Sequence, residues 1–267
     1  GATNAVTGLT DALMDSIPIL CLTGQVPTHL IGTDAFQEAD TVGITRSCTK
    51  HNYLVKDINL VQESILEGYI IASSGRPGPV VIDLPKDIQN SKTRYNEKIK
   101  LRSNLKVKKK EIHSQSIHGQ ITEAVNLIKK AMKPVVYIGG GLINSGYKAS
   151  IELEKFSKLT NFPITSTLMG LGAFPASNKL FLGMLGMHGT YEANNAMHDC
   201  DLLINIGARF DDRITGKIDE FSPKSKKVHI DIDPSSINKI IKVDLAIVGD
   251  VNEVIKSAIK KINKKQN

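Results

Sequence analysis

The sequence predicts an α/β protein built on parallel sheets. Short runs rich in branched apolar residues, such as residues 80–84 (VVIDL), 135–138 (VVYI) and 202–206 (LLINI), have the length and near-continuous apolar character of strands covered on both faces. Segments with helical spacing alternate with them, as a parallel layer requires. The runs toward the C-terminal end also stop in glycine, aspartate or another small or polar residue. In open α/β sheets the carboxyl ends of the strands are where ligands sit.

At 267 residues and 41% hydrophobic content the chain is long enough for two ordinary domains with their own cores. The net charge of +7 raises the question of nucleic acid. Much of that charge lies in residues 98–110 (KIKLRSNLKVKKK) and in the tail 256–265, a linker and a terminal helix with no interleaved aromatics. They read as solvated, so nucleic acid is not expected as a partner. Cys21, Cys48 and Cys200 are scattered without CxxC spacing, which points to a reducing cytoplasm and to neither a disulfide framework nor a zinc site. No apolar run reaches the length that spans a bilayer, so no membrane partner is expected.

In chain order, Ala5, Val6, Leu9, Ala12 and Leu13 follow helical spacing behind Thr3 or Asn4 as cap. An opening on a helix cap without Met predicts a piece of a longer chain. Residues 17–23 (IPILCLT) are expected as a buried strand, with the loop 24–52 at its carboxyl end. Gly24, Pro27 and Gly32 keep that loop from becoming a helix, while Asp34, Gln37, Glu38, Arg46 and Lys50 load it with polar groups that call for a ligand or partner. A short strand at 52–55 follows, then a helix at 60–73 with Val61, Ile65, Leu66 and Tyr69 toward the core. GRPGP at 75–79 breaks it, and the strand 80–84 ends at Pro85. Lys86 and Asp87 therefore emerge at a carboxyl edge beside the loop that carries Gln37.

From about 91 to 113 periodicity is lost and lysines accumulate, which marks a linker. The second domain opens with a helix whose Ile121, Ala124, Val125, Ile128, Ala131 and Met132 share a face, and Pro134 ends it. The next strand runs into Gly139, Gly140 and Gly141, a triplet that lets backbone approach a phosphate or ring, or simply turns tightly. Further strands at 163–167, 202–206, 227–232 and 245–248, separated by helical patterns, end in Thr167, Gly207, Asp231, and Gly249 with Asp250. Strand ends of that composition, gathered by right-handed crossovers, form a crevice suited to a nucleotide. After Gly207 and Ala208, which permit close approach, Arg209 and Arg213 stand at i and i+4 with Asp211 and Asp212 between them. An arginine here forks a pyrophosphate, or the segment is a surface ion-pair loop. Asp231 accepts from a ribose or ribityl hydroxyl, or caps the helix that begins at Asp233-Pro234-Ser235.

Six blocks in order, GQVP (24–27), IGTDAFQE (31–38), TKHN (49–52), SGRPGPVVIDLPKD (74–87), LGMHG (185–189) and GARFDDR (207–213), resemble the catalytic subunits of the acetohydroxyacid synthase (acetolactate synthase) family of thiamine-diphosphate enzymes. The resemblance implies that residues 1–90 are the C-terminal part of a pyrimidine-binding parallel-sheet domain, 91–113 a linker, and 114–267 a complete doubly wound, deoxyhypusine-synthase-like middle domain that binds FAD. It implies FAD contacts at Arg76, Gly139, Gly140, Gly141, Thr167, Leu168, Met187, His188, Gly189, Gly207, Ala208, Arg209, Asp211, Arg213, Asp231, Ile232, Gly249 and Asp250. His188 alternatively is a packed loop residue. It further implies that Gln37 lies near the thiamine ring and substrate, that Lys86 lines the substrate entrance (or is a solvated cap), and that Phe36 forms part of an apolar wall.

The implied reaction decarboxylates pyruvate and condenses the hydroxyethyl unit with a second 2-keto acid, giving 2-acetolactate or 2-aceto-2-hydroxybutyrate in branched-chain amino-acid biosynthesis. FAD is implied without a redox role. Partners implied are pyruvate and 2-ketobutyrate, a second copy of the chain in a homodimer or larger oligomer, and a small regulatory subunit. The family's activating glutamate precedes the position of Gly1, and its magnesium motif, GDG with an asparagine run, is not matched by Gly249-Asp250-Val251. Thiamine diphosphate and Mg2+ are then held mainly by other segments, no metal ligand is assigned in this chain, and the chain alone is expected to be inactive. Two alternatives stay open: a thiamine enzyme of the glyoxylate carboligase or pyruvate oxidase type, and a non-catalytic nucleotide-binding module. The AFQE, TKHN and PKD blocks lie in the first domain and serve no nucleotide, which speaks against the module.

Overall fold

A computed structural model describes residues 1–97 and 115–263, so the lysine-rich segment 98–110 and the end of the tail lie outside the described residues. The chain divides into two units, Gly1–Lys109 and Lys110–Asn267.

In the first unit helix α1 (Ala5–Met14) precedes strand β1 (Leu20–Gln25), and α2 (Thr41–Thr45), β2 (His51–Leu54), α3 (Val61–Ser73), β3 (Val80–Pro85) and α4 (Lys86–Asn90) follow. The three strands are parallel in the order β1-β3-β2. The central strand is sealed, with Val80, Val81 and Ile82 fully buried. β1 corrects the expectation of a buried strand at 17–23: it starts at Leu20, lies at an edge of the sheet, and leaves Leu22 54% exposed. Asn4 stands at the N-cap of α1, yet no side-chain bond caps the helix there.

The inward face of α3 also differs from expectation. Leu66 and Tyr69 are exposed, and Ser64, Glu67, Gly68 and Ala72 are the buried residues. Close packing decides this, because a Cβ at Gly68 would stand 2.8 Å from Leu20 Cδ1 and 3.2 Å from Ile82 Cδ1. The small-residue face lets the helix settle on the sheet more closely than its larger side chains allow.

The second unit contains α5 (Gln115–Lys130), β4 (Pro134–Ile138), α6 (Gly140–Asn144), α7 (Tyr147–Thr160), β5 (Ile164–Ser166), β6 (Phe181–Met184), α8 (Tyr191–Asp199), β7 (Leu202–Ile206), α9 (Asp212–Thr215), β8 (Lys226–Asp231), β9 (Leu245–Val248) and α10 (Val251–Asn263). Its six strands are parallel, in the order β6-β5-β4-β7-β8-β9. The strand order reverses between β4 and β7, the doubly wound arrangement whose ligand crevice opens at that reversal. Alternate strand residues face two cores. Val136, Ile138, Ile204, Ile206, Val228 and Ile230 pack under α5, α7 and α10, while Val135, Tyr137 and Leu203 meet Met197 of α8, Phe210 and Phe221.

Three expectations need correction here. Met132 lies beyond α5 and is exposed, its amide donating to Asp201 Oδ2 at 2.7 Å. β6 is an additional strand with no apolar run to mark it, because Gly183 at φ +89 and a register shift against β5 interrupt the pattern. Between β8 and β9 the connection carries only the single 3-10 turn Pro234–Ser236 rather than a longer helix. No described helix is long and apolar enough to cross a membrane.

Candidate functional site

Every cofactor-contact position expected in the second unit lies just past the carboxyl end of one of the six parallel strands: 187–189 beyond β6, 167–168 after β5, 139–141 after β4, 207–213 after β7, 231–232 at the end of β8 and 249–250 after β9. Three of these loops touch through backbone. A Cβ at Gly139 would meet the Gly207 carbonyl oxygen at 2.4 Å, and one at Gly141 would meet Gly207 Cα at 2.7 Å. Gly141 N donates to Gly207 O at 2.9 Å, and Gly207 holds φ +65, which glycine adopts without strain. The triplet is therefore first a packing device between β4 and β7 at the reversal point. Gly140 faces Met169, and Thr167 N donates to Ile138 O at 2.9 Å, so the β5 loop joins the same cluster.

The LGMHG turn docks on the β7 loop as well. Met187 N donates to Arg213 O at 2.9 Å, and a Cβ at Gly186 would meet that oxygen at 2.6 Å. Gly189 N closes the turn on Gly186 O, which turns His188 and Met187 outward, both exposed.

Several polar residues of this edge are engaged locally through one oxygen each. Thr167 Oγ1 accepts from Gly170 N at 3.0 Å, Asp211 Oδ1 from Arg213 N at 3.0 Å, Asp231 Oδ1 from Asp233 N at 2.8 Å and Asp250 Oδ1 from Glu253 N at 3.2 Å. The capping alternative for Asp231 is not met, because the 3-10 helix Pro234–Ser236 is capped by Asp233, whose side chain accepts from Ser235 N; the second oxygen of Asp231 lies 3.6 Å from His229 Nε2. The ion-pair alternative for GARFDDR is not met either: among the described residues no salt bridge involves Arg209 or Arg213. On the same carboxyl edge Leu168, Met187 and Ile232 stand 65%, 65% and 40% exposed.

Beneath the edge lies a polar row absent from the sequence reading. Thr165, Tyr137, Asn205 and His229 are register neighbours across β5, β4, β7 and β8, all fully buried. Asn205 holds the β7 loop through Ala208 O at 2.8 Å and Ala208 N at 3.1 Å. The Tyr137 hydroxyl and both His229 nitrogens have no hydrogen-bond partner, and Phe210, at φ +57, packs on both rings. Burial, with the charge of Asp211, drives the Tyr137 phenol far above its ordinary range. A polar letter inside an otherwise apolar strand, as in LLINI, is the signal that finds such a row.

In the first unit Gln37 and Phe36 sit on the loop after β1, Gln37 at φ +63 and Phe36 88% exposed. Lys86 is the exposed first residue of α4, just past β3, the neighbouring strand. Arg76 donates to Ser16 Oγ at 2.9 Å and to the Leu13 and Met14 carbonyls at 3.1 Å, holding the end of α1. Lys50 of TKHN does the same for α3 through the Ile71 and Ser74 carbonyls, and burial lowers its pKa. Among the described residues no group of three His, Cys, Asp or Glu side chains converges as a metal site.

The family model described as thiamine pyrophosphate enzyme, central domain, matches residues 121–258. The chain belongs to the thiamine pyrophosphate enzymes. The model for the N-terminal TPP binding domain of these enzymes matches residues 1–44. Among curated relatives, the chain is 46% identical over 266 residues to the acetolactate synthase large subunit of Buchnera aphidicola, covering 100% of this chain and 46% of that protein. It is 46% identical over 263 residues to the acetolactate synthase isozyme 3 large subunit of Escherichia coli, covering 97% and 44%. It is 47% identical over 264 residues to the chloroplastic acetolactate synthase of Arabidopsis thaliana, covering 99% and 38%. The chain spans less than half the length of these curated relatives.

Proposed function

We propose that this chain is the part of an acetolactate synthase that contributes one substrate-facing edge and a central FAD-binding domain. The observation that carries the reading is the similarity of essentially the whole chain, both units included, to proteins named acetolactate synthase. On this reading 1–90 belongs to the pyrimidine domain, 91–113 is the linker and 114–267 is the deoxyhypusine-synthase-like FAD domain. Pyruvate is the first substrate, and pyruvate or 2-ketobutyrate the acceptor. Thiamine diphosphate supplies the carbanion stabilisation when bound, with Mg2+ holding its diphosphate. The working assembly is a homo-oligomer with a small regulatory subunit.

The second unit's edge fits an elongated dinucleotide. Arg209 and Arg213, outside any ion pair among the described residues, suit its pyrophosphate. Exposed Leu168, Met187 and Ile232 suit its flat rings, and the second oxygens of Asp211, Asp231 and Asp250 suit its hydroxyls. His188, Gly189, Gly139, Gly140, Gly141, Gly207, Ala208, Thr167 and Gly249 then shape the backbone around it, and Arg76 steadies the GRPGP turn. Replacing Arg209 or Arg213 by Ala should weaken FAD retention by about 1–3 kcal/mol, the scale of charge-assisted hydrogen bonds. A fluorescence titration in which both variants keep full FAD affinity would sink the assignment, and tighter binding of a nicotinamide dinucleotide would favour a nucleotide-binding module.

On the other edge, the Gln37 amide donates to oxygen charge developing on the keto acid, the Lys86 ammonium draws in its carboxylate, and Phe36 excludes water. In the full-length protein carrying this chain, Gln37→Ala should lower kcat while Lys86→Ala mainly raises KM for pyruvate. Normal steady-state constants for both variants would remove them from the site.

A further inference from the structure

The loop from Val26 to Ala39 has no strand of its own to lean on, and three carboxylates hold it. At its start Asp87 of α4 accepts from Thr28 N at 3.0 Å and Thr28 Oγ1 at 2.5 Å. At its end Gln25 Nε2 donates to Ala39 O at 2.8 Å and to Asp83 Oδ2 at 2.9 Å; Asp83 is buried in the central strand and also takes the Thr23 hydroxyl at 2.7 Å. In the middle the Glu38 carboxylate accepts from Gly32 N, and from Ala35 N at 3.0 Å. These bonds close a ring over residues 32–38 that contains two non-glycine residues in the left-handed region, Asp34 at φ +57 and Gln37 at φ +63. A non-glycine residue in this region is strained and persists only where its surroundings determine it.

We infer that Glu38 is the positioning residue for Gln37, clamping the loop so that the Gln37 amide is held in one direction for the keto acid. The inference rests on the role proposed for Gln37. Without the Glu38 bonds, Asp34 and Gln37 relax toward ordinary negative φ, and the Cα–Cβ bond of Gln37 swings with its backbone. A donor displaced by about 1 Å loses on the order of a hundredfold in rate. The Gly32 amide first, and then that of Ala35, holds the Glu38 carboxyl below its usual range, so it is an acceptor at neutral pH.

The test is a double-mutant cycle in the full-length protein carrying this chain, with kcat and KM for pyruvate and the thermal midpoint read for Glu38→Gln, Glu38→Ala, Gln37→Ala and the double variant. Glu38→Ala should lower kcat roughly tenfold or more, out of proportion to a small fall in the midpoint. Glu38→Gln, which keeps one acceptor oxygen, should fall between it and the parent. In the Gln37→Ala background, Glu38→Ala should do nothing further, because both substitutions remove one function. If Gln37→Ala lowers kcat but Glu38→Ala does not, the inference is overturned and the role of Gln37 stands. An equal fall in both backgrounds, or a midpoint lowered enough to unfold the variant at the assay temperature, overturns it too. Full kcat in Gln37→Ala removes the role of Gln37 and the inference together.

Discussion

In the second unit the loops at the carboxyl edge meet backbone to backbone: Gly139 and Gly141 lie on Gly207, and Gly186 lies on Arg213. In the first unit the corresponding loops are held by side chains, with Asp83, Asp87 and Glu38 each accepting two hydrogen bonds from the segment after β1 or its neighbours. The second unit also covers both faces of its sheet with apolar residues, whereas the first leaves Leu22, Leu66 and Tyr69 exposed. The two designs respond to different chemistry. Close backbone contact tolerates no added atom and ignores pH, while a carboxylate clamp tolerates bulk and depends on ionisation.

The largest effect should come from adding one methyl group at the backbone contact. Gly139→Ala places a Cβ 2.4 Å from the Gly207 carbonyl oxygen. Overpacking of this kind should cost about 3 kcal/mol, seen as a lower urea midpoint by circular dichroism. The same change at Gly24, where the nearest atom is Gln89 Nε2 at 3.7 Å, should be neutral to mildly stabilising. Equal losses at both positions would erase the contrast.

Next in size is Asp83→Ala. It leaves the Thr23 hydroxyl and one bond of the Gln25 amide unanswered beside a buried strand. Leaving such donors unpaired should cost the first unit about 2 kcal/mol. A denaturation curve unchanged from the parent would show that water replaces the carboxylate freely.

The pH responses should run in opposite directions. Asp87, through the Thr28 hydroxyl and amide, and Glu38, through the Gly32 amide, have pKa values below their ordinary 3.8 and 4.5. Depressed folded values mean that their contribution is complete above 3.8 and 4.5 and is lost as pH falls through the folded values. Acid should therefore release the first unit's loop, read as hydrogen exchange at Gly32 and Ala35. Tyr137, raised by burial from its ordinary 10.0, has the reverse sign: stability is complete below 10.0 and declines as the pH rises beyond it, because only the unfolded phenol ionises there. The smallest effect follows from the same residue. Tyr137→Phe deletes an unpartnered buried hydroxyl, so stability at neutral pH should change by less than about 1 kcal/mol and the alkaline decline should become shallower. A substantial loss at neutral pH would mean that the hydroxyl is bonded in solution.

The sequence by itself determined the α/β class, eight of the nine described strands to within a few residues, and the carboxyl-edge position of the candidate residues other than Arg76, which precedes β3. These depend on local signals: apolar runs of strand length, breaker residues and motif blocks. Tertiary structure alone decided that β1 is an edge strand, that α3 turns its small residues inward, that β6 completes the sheet, and that the glycine triplet's nearest neighbour is Gly207. It also decided which acid holds which loop. Thr23 and Asp83 are 60 positions apart, and Thr28 and Asp87 are 59. Nothing in either segment names its partner until parallel pairing sets Leu20 beside Val80 and brings the strand ends together.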